Sequence, residues 1–576
     1  MKQFQPITLL SAVLLAANFA TVATDDNLYP TDFVPIKSAI RLRLNQPIFS
    51  QLSRITDHLY NTQITQAVIP QQQQCFPEGC MRIYNFQITA HRSPTIVQVS
   101  PMPPNLVSIS IRDFDIYITG SLTGQLQPLQ PLPLAVPASG SLSASAVQLG
   151  IASVLDVQKN IDNIPYLRLV SCTMNEGNVG ARVENMGLIN EITEIIAKTR
   201  EVMQATMCAN VQEIIETEFN SRLAKMPTKI TVKELTDLFL QNSENGEHDT
   251  KKRYNDITLT NNEFSNSDSV YRQTLHRNES AASHTPGETN LPISKDRLTH
   301  LTIYTDVLDT SATYEKFFVG VNGEVSVADD RTLSTLYSRP NSLKFLTPSN
   351  GRGVELLVSE YTLNTMLYKA HTIDAIVFRI GSESPSFGKL LRTSCSVDEV
   401  CLTDMISEPG ERYPNTQLEI ILRSTQPPTV QLTRSTATIR LEGRALFYIE
   451  GTSKKVGVIP FETTVVIRLV TNAGVVVGTF DIPSLVFKKD LDFFGLSRES
   501  LEGLRSATRS ALIKLANSKL SSGITLNTQP NSRFTNPTFA VVNQAILVQA
   551  DFNFENDFYR NSVTKQQVQY SGTAKR

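Results

Sequence analysis

The stretch that most constrains the fold lies between Leu169 and Met226, where a β-patterned run ending in Cys172 leads into a long amphipathic pattern carrying Cys208. Ile189, Ile192, Ile196, Thr199 and Met203, then Val211, Ile214, Ile215, Phe219 and Leu223, recur at steps of three and four with charges between them. That period predicts a helix with one continuous apolar face. A bridge between Cys172 and Cys208 would pin the helix to the strand before it, a closure worth at most roughly 4 kcal/mol in the loop-entropy model. A long apolar helix held against a strand is something a sheet can wrap around.

The chain of 576 residues exceeds one ordinary core, so two or three domains are expected. Its formal net charge of -2 supplies no field for holding nucleic acid or acidic membranes by bulk attraction. Lys2, the apolar run Ile7 to Phe19 and the small residues Ala20, Thr21 and Ala23 read as a cleaved signal peptide over 1–23. No later stretch offers an uncharged apolar run long enough to span a bilayer, so the expectation is a secreted, extracellular, soluble product.

Six cysteines in a secreted chain are expected to pair. Cys75 and Cys80 bracket the loop CFPEGC, Cys395 and Cys401 bracket CSVDEVC, and Cys172 and Cys208 remain. Spacing leaves the connectivity open, although the two short loops cost least to close. A metal site is disfavoured because neither short pair has two-residue spacing or a neighbouring histidine.

Along the chain, Ile40, Leu42 and Leu44 alternate with Arg41 and Arg43, and after Pro47 the pattern becomes helical at Ile48, Leu52, Ile55 and Leu59. Residues 81–170 read as β. Val107, Ile109 and Ile111 alternate in one parity and Phe114, Ile116 and Ile118 in the other, which predicts a bulge at Arg112 and Asp113. From Gln241 to Arg297 the composition is too polar to bury a core. Asn278 carries the chain's one glycosylation sequon there, and Lys251, Lys252 and Arg253 read as a solvated charge run.

The second half repeats the first. Val354, Leu356 and Val358 form a strand running into the helical pattern Tyr361, Leu363 and Leu367, and a last helix is expected from Ser497 to Leu520, with Leu501, Leu504, Thr508, Leu512 and Leu515 on one face. Strand Ile40 to strand Val354 is a step of 314, and helix start Met186 to helix start Ser497 is a step of 311. Pro103-Pro104 and Pro427-Pro428 precede matching strands at a step of 324. These offsets indicate a duplicated domain. The division is a signal peptide over 1–23, an N-terminal barrel over 24–235, a polar insertion over 236–300, a central sheet and linker over 301–353, a C-terminal barrel over 354–554 whose last strand returns to the centre, and a polar tail over 555–576.

No catalytic constellation is present: no HExxH, no GxSxG, no phosphate-cradling glycine loop and no CxxC. The seven histidines are scattered. The chain is therefore not expected to be an enzyme or to hold a metal or cofactor. Its long aliphatic helix faces, absence of tryptophan and few aromatics point instead to a cavity for lipid.

RLVSC, the long helix with ATMCANV, and SRLAKMP resemble the end of the N-terminal domain in the family of bactericidal/permeability-increasing protein, LPS-binding protein, phospholipid transfer protein and cholesteryl ester transfer protein. LLVSEYTLNTMLYKAHT resembles the opening of that family's C-terminal domain, with Ser359, Tyr361 and Asn364 matching its S-D-Y-x-x-N signature and Glu360 departing from it. The resemblance covers residues 35–230 and 300–554. It implies an α+β fold: an elongated two-barrel boomerang, each barrel a twisted antiparallel sheet wrapped on a long helix, joined by a central sheet and holding lipid chains. It also implies a Cys172–Cys208 disulfide. The two short cysteine loops and the polar insertion depart from the vertebrate pattern and suit an invertebrate member, such as the nematode nose-resistant-to-fluoxetine type.

On this reading the lipid-binding walls are Ile40, Leu42, Leu44, Leu52, Ile55, Leu59, Ile189, Ile192, Ile196 and Met203 in the first barrel, and Leu356, Val358, Leu363, Leu367, Leu504 and Leu512 in the second. Arg41, Arg43, Arg82 and Arg92 are expected to gather as a headgroup site, and Phe76, held out by the CFPEGC bridge, as a membrane-touching tip. Residues 24–240 carry six lysines and ten arginines against nineteen carboxylates, a net charge of -3. That argues against strong lipopolysaccharide capture. The expected function is secreted lipid binding and transfer, with phospholipid as cargo, an anionic one such as phosphatidylserine suiting the arginines, and membranes or lipoprotein particles as peripheral partners. The alternatives are a lipopolysaccharide-binding, antibacterial immune role and an adhesion or scaffolding role without lipid.

Overall fold

The computed structural model describes residues 37–239 and 297–552, apart from 65–68, 77–78, 127–135, 162, 186–192, 298, 328–335, 346–350, 384–387, 397–398, 473, 489 and 527–533. The expected signal peptide, most of the polar insertion with Asn278, and the tail lie outside these residues, as do Ile189 and Ile192. The fold is α+β, built mainly of antiparallel sheets with a few helices.

Strand β1 (Ile40–Leu44) leads into helix α1 (Gln46–Gln63), with Pro47 in the first helical turn, where its missing N–H leaves no hydrogen bond unmade. Six strands follow: β2 (Gln72–Phe76), β3 (Gly79–Arg92), β4 (Ile96–Met102), β5 (Leu106–Leu126), β6 (Val136–Lys159) and β7 (Pro165–Glu184). They form one sheet in the order β2-β3-β5-β6-β7, with β4 sharing the β5 edge beside β3. The parity change in β5 is a bulge. Its pairing with β6 slips between Arg112 and Phe114, and Asp113 has φ +56°. The extra residue lets Val107 and Ile111 before the slip, and Phe114, Ile116 and Ile118 after it, all face the interior.

Helix α2 (Thr193–Ile214) continues through a π-helical turn, Ile215–Asn220, into a last turn, Ser221–Leu223. The Cys172–Cys208 disulfide joins its middle to the middle of β7, because β7 runs on to Glu184 and does not stop at the cysteine. At the far end, the Asn220 amide accepts from the Leu167 N–H at 2.8 Å and donates to the Leu167 carbonyl at 3.0 Å. Strand β8 (Lys229–Thr231) and helix α3 (Val232–Phe239) close the first half.

The second half begins with β9 (Leu301–Tyr304), β10 (Val307–Ala312), β11 (Phe317–Val321) and β12 (Val325–Val327), then β13 (Val354–Ser359) and helix α4 (Glu360–Thr372). Next come β14 (Val377–Ile380), β15 (Leu418–Ser424), β16 (Thr429–Thr433), β17 (Thr436–Ile449), β18 (Lys455–Asn472), β19 (Val475–Phe487) and β20 (Asp492–Phe493). Helix α5 (Glu502–Ser522), β21 (Ile524–Thr525), β22 (Phe534–Val542) and β23 (Ala545–Phe552) end it. Helix α5 starts at Glu502, later than Ser497. The strand after Pro427-Pro428 is the five-residue β16, and the long strand of that region is β17.

A six-stranded sheet in the order β10-β11-β1-β13-β23-β22 takes strands from both ends of the chain. In it β1 and β13 lie antiparallel, with Leu42 opposite Leu356 at the centre of the register. The repeat step of 314 is the separation of that pair, so the two equivalent strands are related by a local two-fold and each feeds its own helix. Ile40, Leu42 and Leu44 face the core, whereas Arg41 and Arg43 face the opposite side. There Arg43 pairs with the wholly buried Glu355, which also accepts from Asn45 and Gln549.

The S-E-Y-x-x-N motif has a structural explanation. The Ser359 hydroxyl caps α4 by accepting from the Thr362 N–H, and Glu360 accepts from the Leu432 N–H. Asn364 bonds both the N–H and the carbonyl of Val430, and Tyr361 is buried beneath the Arg339 guanidinium. The motif thus docks β16 onto α4.

Candidate functional site

The N-terminal sheet and α2 enclose a cavity of about 670 Å³. Its walls come from β3 (Met81, Ile83, Phe86, Ile88), β5 (Ile116, Ile118, Leu122) and β6 (Leu142, Ala144), with Ile64 at the end of α1 and Ile69 beyond it. Val202, Met203, Thr206 and Met207 of α2 form the roof. Strand β3 supplies lining residues of both parities because its pairing with β5 slips between Tyr84 and Gln87, so Met81 and Ile83 before the slip and Phe86 and Ile88 after it all face this space, while the Cys172–Cys208 bridge holds the methionines of α2 over the sheet. Methionine is flexible and polarizable and suits a wall that must meet apolar ligands of varied shape.

Glu201, Ala205 and Ala209 line the cavity yet are exposed, which places the mouth along that side of α2. Gln72, Gln73 and Asn210 are the uncharged polar residues of the lining with the largest side chains, and among the described residues Glu201 is its one charged residue. Beside the cavity, in the same apolar cluster as Met203 and Met207, the buried Tyr60 hydroxyl has no hydrogen-bond partner among the described residues. Burial pushes its phenol well above the usual range. A volume of this size lies within the ~300–1,000 Å³ of pockets that enclose drug-sized molecules. Its chemistry is apolar enclosure with a polar rim.

Of the first-barrel walls expected from sequence, Met203 lines this cavity. Ile40, Leu42, Leu44, Leu52, Ile55 and Leu59 do not. Leu42, Leu44, Leu52 and Ile55, with Leu59 against them, pack into the junction core formed by α1, the near ends of β4 to β7 and the central sheet, and Ile40 joins a neighbouring cluster with Leu301 and Val325. The physical reason is that β1 belongs to the central sheet and α1 leans on β4. Ile196 lies in α2, but its side chain is outside the described residues, as is that of Phe76 in the Cys75–Cys80 hairpin. The lining of this cavity was implicit in the alternation of β3, β5 and β6, but the pattern alone does not say which inward residues meet a void and which meet other side chains.

In the second half, Leu356 and Val358 pack in the central core, Leu363 and Leu367 pack against Val430, Leu432 and Val541, and Leu504 and Leu512 pack in the C-terminal core. That last core is filled by phenylalanines. Phe447 and Phe493 have ring centroids 4.6 Å apart, Phe493 and Phe494 4.7 Å, and Phe461 and Phe487 lie in the same cluster. Overall aromatic content was a poor guide here because five buried phenylalanines meet in this one cluster. The third disulfide, Cys395–Cys401, lies in the loops beside this core. Together with Asp404 it forms the one metal-like grouping among the described residues, and its sulfurs are bonded to each other.

The four arginines do not gather. Arg41 and Arg43 lie on the central sheet, whereas Arg82 and Arg92 lie ten residues apart on β3. Arg92 clamps the β5 bulge, bonding Asp113 and Asp115 at 2.7 Å each and holding both carboxyls below their usual range. Arg82 bonds Gln71 and stacks beside Tyr84. Among the described residues, no helix is long and apolar enough to cross a membrane.

Residues 290–554 match the model of the LBP / BPI / CETP family, C-terminal domain. No curated protein sequence matches the chain. Among solved structures the chain is similar to a lipopolysaccharide binding protein at 12% identity, covering 90% of this chain and 99% of that one with a TM-score of 0.43. It is similar to P47 of Clostridium botulinum E1 at 10% identity, covering 90% of this chain and 100% of that one with a TM-score of 0.27. Takeout 1 of Epiphyas postvittana is 10% identical, covering 30% of this chain and 85% of that one with a TM-score of 0.18.

Proposed function

We propose that the chain is a lipid carrier whose cargo chains lie under α2, a reading supported by the match of residues 290–554 to the LBP / BPI / CETP family, C-terminal domain, a family of lipid-binding, non-enzymatic proteins. The observation that carries this reading is the apolar cavity of about 670 Å³ between α2 and the N-terminal sheet. Each methylene taken from water into such a space is worth about 0.8 kcal/mol, so an acyl chain of some sixteen carbons gains roughly 10 kcal/mol. The cavity replaces the apolar contacts of a bilayer and asks for no catalytic group.

Among the described residues Glu201 is the one charged side chain of the lining, which suits a phospholipid with a neutral or zwitterionic head. Secretion, glycosylation at Asn278 and transfer between membranes or lipoprotein particles complete the reading, with the Cys75–Cys80 hairpin as the tip that touches the donor surface. Replacing Ala144, a small buried wall residue, by Phe fills the cavity without touching the rim. Ala144→Phe is expected to reduce transfer of a fluorescent phosphatidylcholine between vesicles at least several-fold while the far-ultraviolet spectrum is unchanged. Undiminished transfer by a folded Ala144→Phe protein would place the cargo elsewhere. Tighter binding to lipopolysaccharide aggregates than to phospholipid vesicles would favour the recognition role.

A further inference from the structure

The face of the central sheet opposite the core carries a second concavity, a groove of about 660 Å³ between the β10–β11 turn and the segment Ser342–Phe345. Its floor carries guanidiniums and aromatic rings. Arg43 lies 4.3 Å from the Phe345 ring centroid and Arg41 lies 5.9 Å from that of Phe318. Arg41 is steadied by Asp309 at 3.5 Å, a carboxylate that can sit there because Gly320 beneath it has no side chain; a Cβ on Gly320 would lie 2.0 Å from that carboxylate. Both guanidiniums are thus fixed in place by Asp309 and Glu355, whose carboxylates balance their charge, and they offer the floor N–H donors rather than net charge.

The rim is different. Lys316 and Lys344 also line the groove, and neither is in an ion pair among the described residues. Glu315 is the one carboxylate in the lining, while Ser311 and Ser342 bring hydroxyls and Tyr314, 76% exposed, stands at the edge. Two ammonium groups above two fixed guanidiniums suit a compact dianion with several acceptor oxygens. The rings of Phe318, Phe345 and Tyr314 offer apolar contact to whatever carries it.

We propose that this groove binds a phosphate monoester, on a small organic molecule or on a lipid headgroup, at a site separate from the cavity under α2. The full-length protein is titrated calorimetrically with glycerol 3-phosphate, and its retention on phosphatidylcholine vesicles with and without phosphatidic acid is measured. The Lys316→Glu/Lys344→Glu protein is compared with Arg112→Glu/Arg182→Glu, which makes the same charge change on the N-terminal sheet. The groove variant should bind glycerol 3-phosphate at least tenfold more weakly, the control should not, and both should load phosphatidylcholine normally. Groove-dependent retention on phosphatidic acid vesicles without binding of the free ester assigns the phosphate to a lipid head. No binding of either probe, or equal losses in the two variants, overturns the proposal. Failure of phosphatidylcholine loading in the unaltered protein would count against the carrier reading and leave the groove result standing.

Discussion

Asn220, Asn364 and Asn517 perform one task at three places. Each uses its side-chain amide to satisfy both the N–H and the carbonyl of a single strand residue, Leu167, Val430 and Phe480 respectively. Each thereby fastens a helix to a strand at the cost of one poor helix former. Charge is handled less uniformly. Burial raises the carboxyl of Asp306 above its ordinary 3.8 despite a hydrogen bond from Asn322 and the nearby Lys229 and Lys159. A carboxyl whose folded value is raised favours the native state below the unfolded value and loses that contribution as pH rises through the folded one. Asp306→Asn is therefore expected to stabilise the protein at pH 7, with the gain shrinking toward pH 4, in denaturation midpoints measured at both; a variant less stable than the parent at pH 7 would refute this. Only Asn364 was singled out from sequence, through its motif, because an amide in a helical pattern does not show what it faces.

At the scale of elements, strands β3, β5 and β6 and the helix through Cys208 explain the cavity together: the strands turn apolar residues inward and the helix holds a roof over them. Replacing Cys172 and Cys208 by Ser removes a crosslink across 36 residues. The expected loss is up to about 4 kcal/mol in the chain-entropy model. Lipid should also leave faster, measured as release to acceptor vesicles; unchanged release from a folded protein would separate the helix from the cargo. These elements were legible because alternation, helical period and cysteine spacing are local properties. The wall residues were less so. Alternation marks the inward face, but α1 and β1 spend that face on the junction core and the C-terminal sheet spends it on phenylalanines, outcomes decided by tertiary packing.

In the whole molecule, the first and last described strands meet in the central sheet, where β1 on one side and β23 with β22 on the other flank β13. The repeat was visible in sequence as an offset, and its meaning, two equivalent strands paired about Leu42 and Leu356, is visible only in the register. Arg43 and Glu355 face each other across this seam with almost no exposure. Arg43→Leu strands the carboxylate and is expected to cost about 3–5 kcal/mol, whereas Arg43→Leu/Glu355→Leu should recover most of that loss. Calorimetric unfolding of the two proteins checks it, and a single variant as stable as the double would show that the pair does not bind the halves.

The most direct test of the carrier reading is the lipid content of the full-length protein, purified without detergent and analysed by mass spectrometry intact and after extraction. Acyl lipid is expected at about one molecule per chain under α2, sharply reduced in Ala144→Phe. A folded protein that emerges empty, and stays empty after incubation with phospholipid vesicles, would contradict the account.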